Sequence, residues 1–403
     1  MAKTILTLYL AGGVFKDLYP YELKLEEGIS RLYRGELTVL SETKHGMAEL
    51  SGLLDKGISL TLSQRLGDTK IQRARYFHGV VTAVRNAGVF SNGKVKDCYS
   101  YALVIEPELT RMRFTRFSTP YYRMNPPEII EAVLGKYGFK ARIEQNYISR
   151  TKYSGYLLFD QSETSDLDFL KSIVSLYGIS FVFVHPKNQP DTLGADVLYF
   201  SDGKQFPVSD IQYSDKREEP RVVVFDFLSA AEDENIWKMD GWTMTNTIGV
   251  DGFHLNATYP QANYGSAQWR WGKTAKGERY ITGNRLFHSY DRNAQPQEID
   301  DDIRLILEAQ QRAAEQAKSR WTAEAANLAL RPGLILELRH FYGMKDRELI
   351  TALVTGITLH HRTQWPANLA VRMEEGAEGE LTEVRGDCVD WGGSAEKRFC
   401  PNW

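Results

Sequence analysis

The chain has 403 residues and a formal net charge of −3, with both signs of charge spread along its length. At roughly 100–200 residues per domain, this length predicts more than one domain. No run of like charges is long enough to bind nucleic acid or a membrane surface, and no apolar run approaches the ~20 residues of a membrane span.

The cysteines and the first residues indicate where the chain folds. Cys98, Cys388 and Cys400 are too few and too scattered for a disulfide framework or a thiolate zinc site. The start of the chain lacks a signal-peptide cleavage pattern. We therefore expect the chain to fold in a reducing compartment, and any later export to proceed without the usual signal.

Residues 1–117 are predicted to form a first β-barrel domain. Apolar and polar residues alternate in several short segments, each bounded by a break, which is typical of half-buried strands. The predicted strands cover residues 5–10, 35–40, 57–62, 80–84 and 99–106. Asn92-Gly93 is a strong turn signal for a hairpin between the last two.

Residues 118–209 are predicted to form a small α+β domain. Asn125 can cap a helix with Pro126 at its first position, and Gly138 is expected to end that helix. A second helix is predicted to begin after Ser165, in a sequence that resembles a capping box, and to end at Gly178. A buried-type strand follows at residues 179–184.

Residues 210–375 are predicted to form a second β-barrel domain. It begins with the apolar run 222–227, and a polar, Trp-rich insertion at 232–296 has no clear assignment. A helix is predicted over 299–320 from its apolar spacing. Strand-like segments follow at residues 334–338, 349–357 and 369–373. Residues 376–403 are rich in Gly, Glu and Asp and are predicted to be a linker towards a missing or separate spike.

Three strands of the first β region recur in the same order in the last one. The matched segments are 57–62 with 333–338, 80–84 with 353–357, and 101–106 with 368–373. Any two amphipathic strands look alike, but three in order, with a glycine opening both copies of the first, indicate a duplication. The predicted fold class is therefore mainly β with α+β, in which two similar antiparallel β-barrels are joined by a small α+β domain.

The histidines predict no metal site. They are His45, His78, His185, His254, His288, His340, His360 and His361. None lies in a His-Glu-x-x-His pattern, and adjacent residues such as His360 and His361 point to opposite faces of a strand. His78 follows Phe77 at the predicted start of a strand, so we interpret it as a barrel residue and not as a catalytic base.

Other chemical motifs are equally weak. Gly272-Lys273-Thr274 resembles the end of a phosphate-binding loop, but six residues separate it from Gly265 where the loop needs four. The chain has no Gly-x-Ser-x-Gly elbow. The acidic group Asp160, Glu163, Asp166 and Asp168 is better explained by helix capping. We therefore predict a protein that is not an enzyme, with no catalytic, cofactor-binding or metal-binding residues and no cofactor.

Two alternative functions remain open from the residues alone. Trp237, Trp242, Trp269 and Trp271 would suit a carbohydrate- or cell-wall-acting β-barrel protein if their rings were exposed. A small-molecule-binding barrel would instead need one large apolar pocket, which a barrel filled with side chains excludes.

An ordered set of motifs resembles a known family. The set comprises residues 53–62, 77–84, 127–134, 163–169, 176–181, 330–338 and 352–357, so the resemblance spans about residues 1–375. These segments are similar to the hub portion of the VgrG proteins of type VI secretion. They are also similar to phage late-control D proteins and to the baseplate hubs of T-even phages.

This resemblance implies a structural hub of a contractile injection machine. It implies a homotrimer whose two barrels per chain give a quasi-six-fold ring, which adapts a hexameric tail-tube protein to a three-fold spike. The spike would be C-terminal or a separate protein, and effectors are further expected partners. The hub would be assembled in the bacterial cytoplasm and then become part of a tail or leave through the injection machine.

Overall fold

The structure is a computed structural model that describes most of the first half of the chain and shorter stretches of the second. The described residues are 3–11, 15–66, 70–90, 98–139, 141–142, 148, 152–155, 157–188, 192–202, 223–226, 236–243, 250–256, 283–289, 296–316, 319–325, 328, 330–339, 350–363 and 377–390.

Within these residues the chain forms nineteen β-strands and four α-helices. The strands are β1 (Lys3–Leu10), β2 (Tyr19–Gly28), β3 (Arg34–Ser41), β4 (Gly57–Leu66), β5 (Lys70–Phe90), β6 (Cys98–Glu106), β7 (Thr119–Tyr121), β8 (Ala141–Arg142), β9 (Phe159–Gln161), β10 (Ser180–Val184), β11 (Val197–Ser201), β12 (Val223–Asp226), β13 (Ile236–Thr243), β14 (Val250–Asn256), β15 (Gly283–Ser289), β16 (Ser319–Ala325), β17 (Ile335–Arg339), β18 (Ile350–Thr363) and β19 (Ala377–Asp390). The helices are α1 (Met47–Leu50), α2 (Pro126–Gly135), α3 (Asp166–Leu176) and α4 (Pro296–Gln316), and short 3-10 turns cover Ser51–Leu53 and Glu108–Arg113.

One curled sheet dominates the molecule. Twelve strands follow the order β12-β17-β18-β2-β3-β6-β5-β4-β1-β19-β16-β13, and all neighbours are antiparallel except β12 and β17. Because β18 also pairs with β19, the pairings from β18 through β2, β3, β6, β5, β4, β1 and β19 lead back to β18. The prediction of a mainly β fold is confirmed.

A long hairpin of β18 and β19 joins the first and last β regions. Residues 350–353 of β18 pair with β17, and residues 356–362 pair with β2. Residues 377–379 of β19 pair with β1, and residues 384–389 pair with β16. Strands from both ends of the sequence therefore share one sheet, and the described pairings do not divide it into two separate barrels.

The two matched hairpins pair in the same sense but in different registers. Ser59 pairs with His78 in the β4–β5 hairpin. In the match between the two regions, Ile335 corresponds to Ser59 and Leu353 corresponds to Val80. Ile335 pairs with Leu353, and not with the residue that would correspond to His78. The registers thus differ by two residues, and an even difference leaves the same side chains on the same face. The third matched segment, 368–373, lies outside the described residues.

The α+β unit packs its helices over a small sheet. β10, β11 and β8 form this sheet, and β7 pairs with β9 beside it. The apolar faces of α2 and α3, which include Ile130 and Ile173, form a second core with Phe200 of β11 and Ile306 of α4. Phe183 of β10 packs against this core and also against the core of the large sheet, so it lies between the two.

Several predicted elements are confirmed. The predicted strands at residues 5–10, 35–40, 57–62, 80–84 and 99–106 fall in β1, β3, β4, β5 and β6. The Asn125 side chain accepts the Glu128 N–H, and the Glu128 carboxylate accepts the Asn125 N–H, so α2 begins with a full capping box. Ser165 likewise caps α3 by accepting the Asp168 N–H.

Other elements differ from prediction. α2 ends at Gly135, and Gly138, where we expected the end, adopts a left-handed φ of 67° in the turn that follows. β2 was not predicted, because its apolar positions are interrupted by Pro20 and by charged residues. The predicted turn at Asn92-Gly93 lies outside the described residues.

The last described segment differs most from prediction. Residues 377–390 fall within the predicted linker 376–403, yet they form β19. Its backbone pairs with β18 on one side and with β1 or β16 on the other. Strand propensity depends strongly on such neighbours, which is why the Gly- and Glu-rich composition was misleading.

Candidate functional site

The α+β unit is attached to the large sheet through a turn and a buried polar cluster. The turn follows β2, where Ser30 adopts a left-handed φ of 57°. Its N–H donates to the Phe181 carbonyl of β10 at 2.8 Å, and its hydroxyl accepts the Phe181 N–H at 3.3 Å. The turn therefore continues the hydrogen bonding of the small sheet onto the large one.

Tyr33 is the centre of the buried cluster, which we call the joint and define by Glu27, Tyr33, Ser59, Arg75, His78, His185, Gly194 and Asp196. The Tyr33 hydroxyl lies 2.6 Å from the His78 carbonyl and 2.9 Å from a carboxylate oxygen of Asp196. Burial raises the pKa of Tyr33 well above its usual value, so the phenol stays neutral and can donate. Burial also raises the pKa of Asp196.

His78 connects two strands to the loop that follows β10. Its Nε2 lies 2.7 Å from the Pro186 carbonyl, which can only accept, so this nitrogen carries the proton. Its Nδ1 lies 3.0 Å from the Ser59 hydroxyl, which also accepts the Gly194 N–H at 2.9 Å. Burial lowers the pKa of His78 to about 4, so the ring is neutral near pH 7.

Gly194 has no room for a side chain. A Cβ at this position would lie 2.1–2.4 Å from three atoms of the His78 ring. The loop before β11 therefore lies directly on the imidazole, which only glycine permits.

His185 continues the cluster towards the far end of the chain. Its Nδ1 accepts the His78 N–H at 3.1 Å, and its Nε2 faces the Glu27 carboxylate at 3.5 Å. Glu27 forms an ion pair with Arg75, whose Nη1 also donates to the Leu330 carbonyl at 3.1 Å. The joint thus links the first β region, the α+β unit and the last β region.

Aromatic rings surround these polar groups. The Tyr33 ring makes edge contacts with Phe77, Phe183 and His185 at centroid distances of 4.8, 5.0 and 4.9 Å. Such pairs add to the free energy gained by burial, and the dry surroundings strengthen the hydrogen bonds within them. The arrangement holds two units in one orientation and exposes no reacting group.

A second feature, residues 111–123, is called here the aromatic strip and exposes three of its four aromatic rings. It contains four arginines, four aromatic residues and no acidic residue. Phe114 is 84% exposed, Phe117 48% and Tyr122 44%. The Lys136 ammonium lies 4.8 Å from the Phe117 ring centroid, and Arg123 lies 5.4 Å from that of Tyr122. Exposed apolar groups of this kind mark interaction surfaces, where aromatic residues and arginine are enriched.

The structure separates the histidines considered as metal ligands. His360 lies 2.6 Å from the Glu22 carboxylate, while its neighbour His361 is buried on the opposite face of β18. His45 lies 2.8 Å from Asp17 and 3.3 Å from Glu49. Among the described residues, no cluster of His, Cys, Asp and Glu could hold a metal ion.

The acidic residues near α3 serve local structure. The buried Asp166 accepts hydrogen bonds from Tyr137 and from the Gln161 amide, the latter at 2.6 Å, and it lies 3.6 Å from the Lys136 ammonium. Asp168 accepts the Ser165 hydroxyl at 2.7 Å, which strengthens the cap.

Several predicted motifs lie where side chains are not described. The segment Gly272-Lys273-Thr274 and the residues Trp269 and Trp271 lie outside the described residues, and Trp237 and Trp242 belong to β13, of which only the backbone is described. No helix in the described part of the chain combines the length and the apolar composition that crossing a membrane requires.

The joint was missed by sequence reasoning. We predicted His78 at the start of a strand, but it lies in the middle of β5. Its partners Ser59 and His185 are 19 and 107 residues away in sequence. The one signal available was a histidine at the edge of two predicted strands, His78 just before 80–84 and His185 directly after 179–184. That signal indicates that each histidine is buried, but it does not predict that the two rings contact each other.

Comparison with known proteins gives one family and a set of similar folds. A family model described as phage tail baseplate hub (GPD) matches residues 26–365, which is most of the chain. No curated protein sequence matches the chain.

Solved structures share the fold at low sequence identity. The E. coli c3393 protein, a component of the type VI secretion system, is 13% identical with a TM-score of 0.57, and the match covers 98% of this chain and 79% of that one. The tail protein from Neisseria meningitidis MC58 is 9% identical with a TM-score of 0.55, covering 98% and 99%. A chain of the Francisella PdpA–VgrG complex is 9% identical with a TM-score of 0.56, covering 100% of this chain and 59% of that longer one.

Proposed function

The chain belongs to the phage tail baseplate hub (GPD) family, and we propose from that premise that three copies form a ring joining a hexameric tail tube to a three-fold spike. The single observation that carries the structural role is the family match over residues 26–365. A chain that offers two similar surfaces lets three-fold packing approximate six-fold packing.

The large sheet supports the idea of two related surfaces within one chain. The hairpins β4–β5 and β17–β18 are both antiparallel, and their registers differ by an even number of residues. We divide the chain into a first barrel domain at 1–117, an α+β domain at 118–209 and a second barrel domain at 210–375. In this division the β18–β19 hairpin belongs to the boundary, since it pairs with strands of both β regions.

The joint supports a role in which the chain holds partners in fixed positions. Its hydrogen bonds and ion pairs connect all three sequence regions, and its central side chains are buried. A ring that transmits force between a tube and a spike needs its units to keep one orientation. Many buried hydrogen bonds between the units oppose their rotation.

Partners are expected on several faces of such a ring. They are the other two chains, the hexameric tail-tube protein, a C-terminal or separate spike and, in addition, effectors. The aromatic strip offers one exposed surface for such contacts. The role requires no catalysis, no cofactor and no nucleic acid, and we propose that this chain is not an enzyme.

The same role predicts where the protein is found. A hub is assembled in the bacterial cytoplasm and is then carried in a tail or leaves through the injection machine. Whether the machine is a phage tail or a secretion system depends on the partners, because the similar folds include both tail proteins and type VI components.

Electron microscopy of the purified chain tests the ring. We expect particles with three-fold symmetry and a central hole in two-dimensional class averages. The matched control is the same chain after dissociation by denaturant and refolding at high dilution, which should give small particles without a hole. Class averages with two-fold symmetry, or compact particles without a hole at micromolar concentration, would contradict the proposal.

A further inference from the structure

The joint contains two histidine rings that are closed off from water. His78 is 1% exposed and His185 is 6% exposed, and their ring centroids are 5.9 Å apart. Both rings use their nitrogens to bond across the contact between the α+β unit and the large sheet. Their protonation state therefore bears on whether that contact can form.

The hydrogen bonds around His185 require a neutral ring. Nδ1 accepts a backbone N–H, that of His78, at 3.1 Å. If Nδ1 took up a proton, two N–H groups would face each other in a buried site. That contact would lose a hydrogen bond and leave a buried donor without an acceptor, which destabilises the closed joint.

Burial, and not hydrogen bonding, keeps the His78 ring neutral, because desolvation lowers its pKa whereas the bond to the Pro186 carbonyl by itself raises it. Nε2 donates to the Pro186 carbonyl, and Nδ1 is free only to accept, from the Ser59 hydroxyl. A proton on Nδ1 would force that hydroxyl to turn away. The Ser59 oxygen can accept from both that proton and the Gly194 N–H, so what the protonated ring removes is the acceptor for the hydroxyl's own proton.

The charged groups facing the rings do not offset this preference. Asp196, in the segment before β11, favours a positive charge on His185. Arg75 of β5 and Arg331 of the segment before β17 oppose that charge. Glu27 of β2 faces His185 but is already paired with Arg75. Tyr33, a neutral phenol, contacts both Asp196 and the His185 ring.

We propose that His78 and His185 form an acid-sensitive joint, in which proton uptake by the two rings releases the α+β unit from the large sheet. The inference concerns a property of the fold that the hub role does not require. It would make the orientation of the two units depend on the acidity of the compartment that the protein enters.

The pH window follows from the sign of the shifts. Burial lowers the pKa of His78 to about 4 and that of His185 to about 3, from the usual 6.5 of an open ring. Above pH 6.5 both closed and open states are neutral, so the joint has its full stability. As the pH falls from 6.5 towards the lowered values, only the open state takes up protons and the joint is progressively lost.

Hydrogen exchange at the His78 amide measures this opening directly, because that N–H is bonded to His185. After correction for the intrinsic exchange rate, the opening constant should rise about 30-fold between pH 7.5 and 5.0 for each histidine that is exposed by the opening. The Leu103 amide in β6, which lies between two paired strands, exchanges only when the sheet itself opens, so its opening constant should stay well below that of His78 at pH 5.0. Equal opening constants at His78 and Leu103 would overturn the proposal, because the joint would then open only together with the sheet.

A variant pair isolates His185. His185→Asn keeps an acceptor near the Nδ1 position but cannot be protonated. The rise in the opening constant of the His78 amide between pH 7.5 and 5.0 should therefore be smaller by a factor of about 30. His360→Asn, at a half-buried pair with Glu22 outside the joint, is the matched control and should leave the rise unchanged. An unchanged rise in His185→Asn would contradict the proposal. If that variant fails to fold, the comparison of the two amides in the wild type still decides.

Discussion

At the scale of single residues, a few hydrogen bonds and one close contact in the joint fix the orientation of the α+β unit on the large sheet. Tyr33 is buried, and its hydroxyl lies within hydrogen-bonding distance of both the His78 carbonyl and an Asp196 carboxyl oxygen, although its one proton can be donated to only one of them at a time. Gly194 brings a loop directly onto the His78 ring. Because these residues come from separate regions of the sequence, each can be tested by a substitution that leaves the others in place.

Tyr33→Phe should lower the free energy of unfolding. The change removes the hydroxyl but keeps the ring, so the His78 carbonyl loses a donor in a buried site, at a cost of about 1–3 kcal/mol. Urea unfolding followed by tryptophan fluorescence measures it. Tyr122→Phe removes a hydroxyl from a residue that is 44% exposed and should change the unfolding free energy by less than about 0.5 kcal/mol. Equal effects of the two substitutions would contradict the role of Tyr33.

Gly194→Ala should destabilise the protein through a steric clash. The added Cβ would lie 2.1–2.4 Å from His78 ring atoms, so the loop or the ring must move, at about 1–3 kcal/mol. Gly135→Ala is the control, because a Cβ there meets nothing within 4 Å and alanine favours a helix. Thermal unfolding compares the two. A melting temperature for Gly194→Ala equal to that of the wild type would show that the loop does not press on the ring.

The residue scale also marks the limit of prediction from sequence. The caps Asn125 and Ser165 were predicted because a cap and its partner are only a few residues apart. His78 and His185 are 107 residues apart, and only the folded chain brings them together. Local hydrogen bonds can be predicted from spacing, whereas this joint depends on the packing of two units.

At the scale of elements, the same contrast separates α2 from β19. α2 follows from its own residues: a cap, a proline at its first position and an apolar face. β19 has few strand-forming residues, and it forms because β18, β1 and β16 supply hydrogen-bonding partners along its length. The prediction of a linker was wrong there, since composition alone carries no information about such partners.

Asn125→Ala should weaken α2. The substitution removes the side chain that accepts the Glu128 N–H, which costs about 0.5–2 kcal/mol. Glu128→Gln is the milder partner, because a glutamine can still accept the Asn125 N–H in a capping box. Urea unfolding should rank the wild type above Glu128→Gln and Glu128→Gln above Asn125→Ala. The reverse order of the two variants would show that charge at the helix start matters more than the cap.

At the scale of the whole molecule, both β regions contribute to one curled sheet that the β18–β19 hairpin closes. The alternating strands and the ordered set of motifs were visible in the sequence, and the mainly β fold and the family that they indicated are confirmed. The way the two regions join was not visible. It depends on β2 and β19, the two strands that composition concealed.

The number of chains in the purified particle tests the central claim most directly. Native mass spectrometry, supported by light scattering at micromolar concentration, counts the chains without reference to any partner. The hub account predicts three chains per particle, because two similar surfaces per chain then approximate a hexagon. A particle of one chain, or of two, at concentrations where the protein remains folded would contradict it.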